Sequence, residues 1–155
     1  MRVSWGFDAH RLGGAGPITL AGVPIDSERG VVATSDGDLV AHAVADAVLA
    51  VAGMGDLGEH FPSADPRWKD ANSMELLSRV VELAAPMTVS FVDVTVIAQD
   101  VRIAPHRRRM EQNLATVLGL PVDLVSVKAT TTDHLGWIGS GDGIAATAVV
   151  TADPT

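Results

Sequence analysis

Asp8 and His10 stand two residues apart in a stretch that alternates in polarity. In an extended strand both side chains therefore leave the same face, an oxygen and a nitrogen donor side by side. Alone, such a pair is a weak signal, and an exposed acid beside an exposed histidine is the simpler reading. His42 changes the balance, because it lies in a helical segment and off that segment's apolar stripe. Asp38, His42 and Asp46 are each four apart and form one polar stripe. A solvated helix face explains Asp38 and Asp46, although an aspartate one turn from a histidine can also accept the other ring N–H. Three N/O ligands (Asp8, His10 and His42) with a fourth position open describe a catalytic zinc site. The donor set suits several divalent ions. It works only if the fold brings a strand and a helix together.

The elements that must do this are legible in outline. Met1 to His10 reads as a half-buried strand, with Val3, Trp5, Phe7 and Ala9 on the apolar face and Arg2, Ser4, Gly6, Asp8 and His10 on the polar one. Gly13 to Pro17 reads as a flexible loop, and Ile18 to Ile25 as a short hairpin. A helix starts near Ser35-Asp36-Gly37-Asp38, where Ser or Asp can cap free amides. Val40, Ala43, Val44, Ala47, Val48 and Val51 form its buried stripe, and Gly53 and Gly55 end it. A loop rich in Gly, Pro and Asp runs from Asp56 to Asn72. A second helix covers roughly Ser73 to Ala85. Thr88 to Gln99 is apolar on both sides and predicts a central strand. Pro105 and Gly119 bracket a third helix; strands follow at Leu124 to Thr131 and Gly143 to Thr151. The expected fold class is α+β, a two-layer sandwich in which helices pack on one face of a mixed sheet, the opening hairpin making it mixed.

The 155 residues fit one domain spanning 1–155, and 47% hydrophobic against 19% charged residues supply a core. A net charge of −8 argues against a nucleic-acid partner, whose phosphates demand clustered Lys and Arg. A small anionic substrate stays open, since a metal and local donors outweigh the global field at short range. With no cysteine there is neither disulfide nor thiolate site. No apolar run approaches the ~20 residues of a membrane helix. A strand pattern begins almost at once, so no targeting peptide is expected, and the cytoplasm is the default location.

Four motifs in order make the sequence recognisable: Gly6-Phe7-Asp8-Ala9-His10, Ser35-Asp36-Gly37-Asp38-Leu39-Val40-Ala41-His42, Gly55-Asp56-Leu57-Gly58-Glu59-His60-Phe61-Pro62 and Lys128-Ala129-Thr130-Thr131-Thr132-Asp133. Together they resemble the 2-C-methyl-D-erythritol 2,4-cyclodiphosphate synthase family over essentially the whole chain. The resemblance implies a homotrimer with active sites between subunits. It implies a divalent metal, usually zinc, on Asp8, His10 and His42, with its open position toward the substrate β-phosphate. A second cation, magnesium or manganese, bridges the α- and β-phosphates. The implied substrate is a cytidine diphosphate, 4-diphosphocytidyl-2-C-methyl-D-erythritol 2-phosphate, whose 2-phosphate attacks the β-phosphorus and expels CMP. Two cations suit a reaction that drives one phosphate onto another.

By the same resemblance, Asp8, Ala9 and His10, Thr34 and Ser35 contact substrate, and Thr34 and Thr131 stand at catalytic positions. Asp56, Leu57 and Gly58, then Phe61, Pro62, Ser63, Ala64 and Asp65, match the segment facing the methylerythritol part. Ala98, Gln99, Asp100, Val101, Arg102, Ile103 and Ala104 match the cytidine pocket, with Arg102 where Lys is frequent. Thr130, Thr131, Thr132 and Asp133 match the phosphate-binding run, with Asp133 in place of a usual Glu that ligates the second cation. Trp137 matches an aromatic position near the trimer axis, where interface packing is the simpler reading. Two departures stand out: Thr34 replaces a common His, and Ser140 replaces a common Arg. They motivate a rival reading, a non-catalytic trimer that binds isoprenoid diphosphates or cytidine nucleotides. Arg107, Arg108 and Arg109 read as a solvated helix face.

Overall fold

The computed structural model describes residues 1–155. Its elements are β1 (Arg2–Ala15), β2 (Ile18–Leu20), β3 (Val23–Ile25), β4 (Arg29–Val31), α1 (Leu39–Ala52), α2 (Leu57–His60), α3 (Ser73–Leu83), β5 (Met87–Ile97), α4 (Arg107–Leu118), β6 (Val125–Thr130), α5 (Gly136–Gly139) and β7 (Gly143–Pro154). Five strands make one sheet in the order β4-β1-β7-β5-β6. Only β5 and β6 are parallel; the other pairs are antiparallel. The expected mixed α+β architecture is therefore present, and β5 is interior as expected. The reason given for it needs correction: β2 and β3 form a separate two-stranded ribbon, and the sheet is mixed because α4 carries the chain from β5 across to β6.

Helix α1 lies across β1, β7 and β5, with α3 against its far side. All six residues of its expected stripe are buried. So are most others, and only His42, Asp46, Ala50 and Ala52 escape full burial. A helix apolar nearly all round is one buried between layers. Its lower strand-facing side meets Val92, Val94 and Val96 of β5 and Ala146, Ala148 and Val150 of β7, part of one continuous core. Gly53 ends the helix in the left-handed conformation (φ 76°) that favours glycine.

Strand β1 departs from expectation in two ways. It runs on through Gly13 and Gly14 to Ala15 and pairs with β4, where a loop was expected. Gly14 is needed for its left-handed backbone (φ 68°), and close approach falls to Gly30 on β4, where a β-carbon would lie 2.5 Å from the Ala15 carbonyl oxygen. Its faces are also exchanged. Val3, Trp5 and Phe7 point away from the helices and are exposed, whereas Ser4, Gly6, Asp8 and His10 face α1. The helix comes too close for large side chains: a β-carbon at Gly6 would sit 2.0 Å from the Ala43 carbonyl oxygen. Ser4 donates to the Ala47 carbonyl at 2.5 Å and Arg2 to the Val51 carbonyl at 3.3 Å. Small and polar residues thus belong to the inner side because they meet helix backbone.

Candidate metal centre and substrate cleft

Residues Asp8 and His10 project from the middle of β1, not its end, toward the first turns of α1, which present His42. Their ligand atoms converge: Asp8 Oδ2 lies 2.9 Å from His42 Nδ1 and 3.0 Å from His10 Nε2, and all three atoms fall within 4.8 Å of one another. These side chains are largely sheltered yet not sealed. Burial pushes the Asp8 carboxyl up, but hydrogen bonding and charge from His10 and His42 outweigh it and hold it at about 2. The approach of Asp8 raises the His10 pKa, against the burial that lowers it. His10 Nε2 is a buried nitrogen without an aligned hydrogen-bond partner, despite the nearby carboxylate. A shared divalent cation would satisfy that nitrogen, and one carboxylate with two imidazoles is a fitting donor set.

The polar stripe of α1 does not act as the sequence suggests. Asp38 is fully buried and caps the helix, accepting from the backbone amides of Ala21 (2.8 Å), Gly22 (2.7 Å) and Ala41 (3.0 Å). Burial pushes its carboxyl up to about 6, while those amides pull it down. Asp46 accepts from Leu57 N at 2.7 Å, so it holds the start of α2; burial raises its pKa. Neither carboxylate is hydrogen-bonded to the His42 ring, although the Asp38 carbonyl accepts from His42 N at 3.1 Å. The other ring nitrogen of His42 meets the Ser73 hydroxyl at 2.8 Å, and that hydroxyl in turn donates to Asp36. Sequence reasoning missed Ser73, because a serine at the first turn of a helix reads as an ordinary start signal.

The expected substrate residues fall into two groups. Asp56, Leu57 and Gly58 share a cleft of about 250 Å³ with Asp8, His42, Asp46 and Phe7. Asp56 caps α2 by accepting from Glu59 N, so Leu57 and Gly58 begin that helix beside the triad. Pro62, Ser63 and Ala64 continue as exposed turn. Phe61 is fixed edge-on against Trp68 at 4.9 Å, and Trp68 lies between the Arg67 and Arg79 guanidinium groups. Asp65 pairs with Arg67. Thr34 is exposed and its carbonyl accepts from Asp70 N at 3.0 Å; Ser35 accepts from Gly37 N.

A second cavity of about 260 Å³ is lined by Ala98, Gln99, Asp100 and Val101 with Leu12, Arg29 and Gly141 on its other side. Gln99 accepts from His134 N at 3.0 Å and Ala98 N donates to the Thr130 carbonyl, which ties the 130–134 turn to this side. Arg102 and Ala104 are exposed and Ile103 is buried in the core. Thr130 and Thr132 spend their hydroxyl protons on backbone carbonyls, whereas Thr131 accepts from Asp133 N and donates to no protein group. Asp133 is exposed at φ 53° and lies outside the triad. Ala9 points away from Asp8 and His10 and shares a small cavity with His10 and Trp137. No residue lines both the triad's cleft and the 98–101 cavity. Within one chain, the structure does not bring the expected substrate residues together.

In class, this is a two-layer α+β domain with one candidate Asp-His-His metal centre opening on a cleft. The YgbB family model matches residues 1–153, and the chain belongs to that family. It is 48% identical to 2-C-methyl-D-erythritol 2,4-cyclodiphosphate synthase of Nitrosococcus oceani over 97% of this chain and 96% of that one. It is 46% identical to the synthase of the same name from Salinibacter ruber, over 97% and 98%. Among solved structures, it superimposes on the bifunctional IspDF from Campylobacter jejuni with a TM-score of 0.95 at 38% identity, covering 99% of this chain and 42% of that one. A CDP-bound 2C-methyl-D-erythritol-2,4-cyclodiphosphate synthase superimposes with a TM-score of 0.89 at 32% identity, over 98% of this chain and 100% of that one.

Proposed function

We propose that residues 1–155 form one cyclodiphosphate synthase domain that converts 4-diphosphocytidyl-2-C-methyl-D-erythritol 2-phosphate to 2-C-methyl-D-erythritol 2,4-cyclodiphosphate and CMP, a cyclising phosphorus–oxygen lyase of non-mevalonate isoprenoid synthesis. The observation that carries this is the convergence of Asp8, His10 and His42 beside the Asp56–Gly58 wall. Relatives named for this activity, at 46–48% identity over nearly their full length, support it.

In this reading Asp8, His10 and His42 hold a divalent metal, zinc by donor type, which supplies positive charge to phosphate oxygens when bound. Asp56 accepts from the hydroxyls of the methylerythritol part. The 98–104 segment takes the cytidine, and Thr131 donates its free hydroxyl proton to the diphosphate. Asp133 contributes a hard oxygen ligand to magnesium or manganese on the diphosphate. The substrate supplies its own nucleophile: an oxygen of the 2-phosphate bonds to the β-phosphorus, the bond from that phosphorus to the bridging oxygen breaks, and CMP leaves with the electron pair. The protein's part is alignment and charge neutralisation. Thr34, where a histidine is common, offers a neutral hydroxyl.

The chain acts as a homotrimer in this proposal. Two features support it: the metal cleft and the 98–101 cavity are separate in one chain, and the outer face of β1 carries Trp5 at 60% and Val3 at 62% exposure. A cytoplasmic setting accords with the reading, and no helix is long and apolar enough to cross a membrane. Phosphorus NMR of the protein with substrate, zinc and magnesium tests the activity. A cyclic diphosphate appearing with equimolar CMP is expected. Unchanged substrate, with tight CDP binding retained, would give way to the non-catalytic binder that Thr34 and Ser140 motivate.

A further inference from the structure

The Ser73 side chain is 1% exposed and is one of only two buried polar side chains in the molecule. Its hydroxyl bridges His42 Nε2, at 2.8 Å, and Asp36 Oδ1. Asp36 is surrounded by donors. Its Oδ1 also accepts from Asp38 N at 3.1 Å and its Oδ2 from Ser73 N at 2.9 Å. A carboxylate has no proton to give, so the single proton of the Ser73 hydroxyl is directed to Asp36. The serine oxygen is then left to accept, and only a His42 carrying its proton on Nε2 can donate to it. With a cation bound beside it, Nδ1 would give that cation its lone pair, and Nδ1 is the atom that faces Asp8 Oδ2 at 2.9 Å; without a cation, Nδ1 carries a proton toward that carboxylate. Each link in the chain follows from the one before it, because each group has one remaining role.

We infer that Asp36 and Ser73 are positioning residues: through the Asp36–Ser73–His42 relay they fix the His42 tautomer and ring plane so that Nδ1 is presented to a divalent cation shared with Asp8 and His10. The inference rests on the metal reading of that triad. It goes further in assigning work to two residues that lie on neither β1 nor α1. Ser73 opens α3, and Asp36 belongs to the loop before α1. That loop is pinned to the chain just before α3, since Asp36 N donates to the Ala71 carbonyl and Asp70 N donates to the Thr34 carbonyl. The relay thereby joins the metal centre to the Thr34-Ser35 segment, so that disturbing one moves the other. Donors behind a metal-bound histidine typically contribute 10- to 100-fold to metal affinity.

Two measurements on the full chain test this. The first is histidine nitrogen NMR of zinc-loaded protein, which reads where the His42 proton sits. The second is zinc titration against a competing chelator. Zinc-loaded wild-type protein is expected to show His42 with its proton on Nε2 and Nδ1 on the metal. Ser73→Ala and Asp36→Ala are expected to lose that single form and to bind zinc about 10- to 100-fold more weakly; Ser73→Thr, which keeps a hydroxyl, restores part of both. An unchanged tautomer and unchanged zinc affinity in folded Ser73→Ala would overturn the relay while leaving the metal site standing. Failure of wild-type protein to take up zinc would overturn the metal reading instead, and with it this inference, which rests on that reading. Should Ser73→Ala not fold, Asp36→Ala decides by the same two readouts, since it removes both oxygens that orient the hydroxyl.

Discussion

The two faces of β1 carry opposite chemistry from those usually assigned to inside and outside. The inner face holds Ser4, Gly6, Asp8 and His10; the outer holds Val3, Trp5 and Phe7, with the Trp5 and Phe7 rings stacked at 5.9 Å. The inner face is built for contact with a helix backbone and for a charged centre, so it needs small and polar groups. The outer face, within one chain, meets nothing. An apolar surface of that kind calls for a cover, and identical chains are the economical source of one.

Four changes probe this contrast. The largest effect is expected inside: His42→Ala abolishes CMP release, measured by chromatography of the reaction mixture, while circular dichroism stays that of the wild type. Normal turnover by a metal-free variant would remove His42 from the chemistry. Next comes the outer face. Trp5→Glu converts the proposed trimer to monomers in sedimentation velocity without unfolding the protomer; an unchanged trimer would show that this face is not the interface. Third, Gly6→Ala drives a methyl group into the Ala43 carbonyl and costs roughly 2 kcal/mol, read from urea unfolding. A neutral result would mean that α1 lifts away easily, which its burial contradicts.

The smallest effect is one of pH. Asp38 has a folded pKa of about 6, above the ordinary carboxylate value of 3.8, because burial favours its neutral form. Between these values the folded chain keeps a proton that the unfolded chain has lost. Its contribution is therefore complete below about 4 and declines as pH rises through about 6. Unfolding free energies across that window should slope downward in the wild type, and the slope should flatten in Asp38→Asn.

What the sequence shows and what it conceals divide along physical lines. Periodicity reveals α1, α3, α4 and the order of strands, since burial repeats at 3.6 or 2 residues. The same alternation marks β1 as a strand but carries no sign of which face is covered, and hydrophobicity points to the wrong one because the face that meets the α1 backbone has room only for small and polar side chains. Asp8, His10 and His42 are legible from donor type. Ser73 is not: its partners lie 31 and 37 residues away, and nothing local distinguishes it from a serine at any helix start. Asp38 and Asp46 mislead for the related reason that a polar residue on a helix can be turned inward to satisfy amides as readily as outward to water.

The separation of the metal cleft from the 98–101 cavity has a consequence for inheritance and for engineering. In the proposed trimer each working centre borrows one wall from each of two chains. A chain lacking His42 and a chain disabled in the other wall, for instance by Arg102→Glu, are each dead alone. Co-assembled at random in equal amounts, they reconstitute about a quarter of the centres, because a chain that is defective in one wall still lends its sound wall to a neighbour. Two null alleles of this gene would then complement each other in one cell.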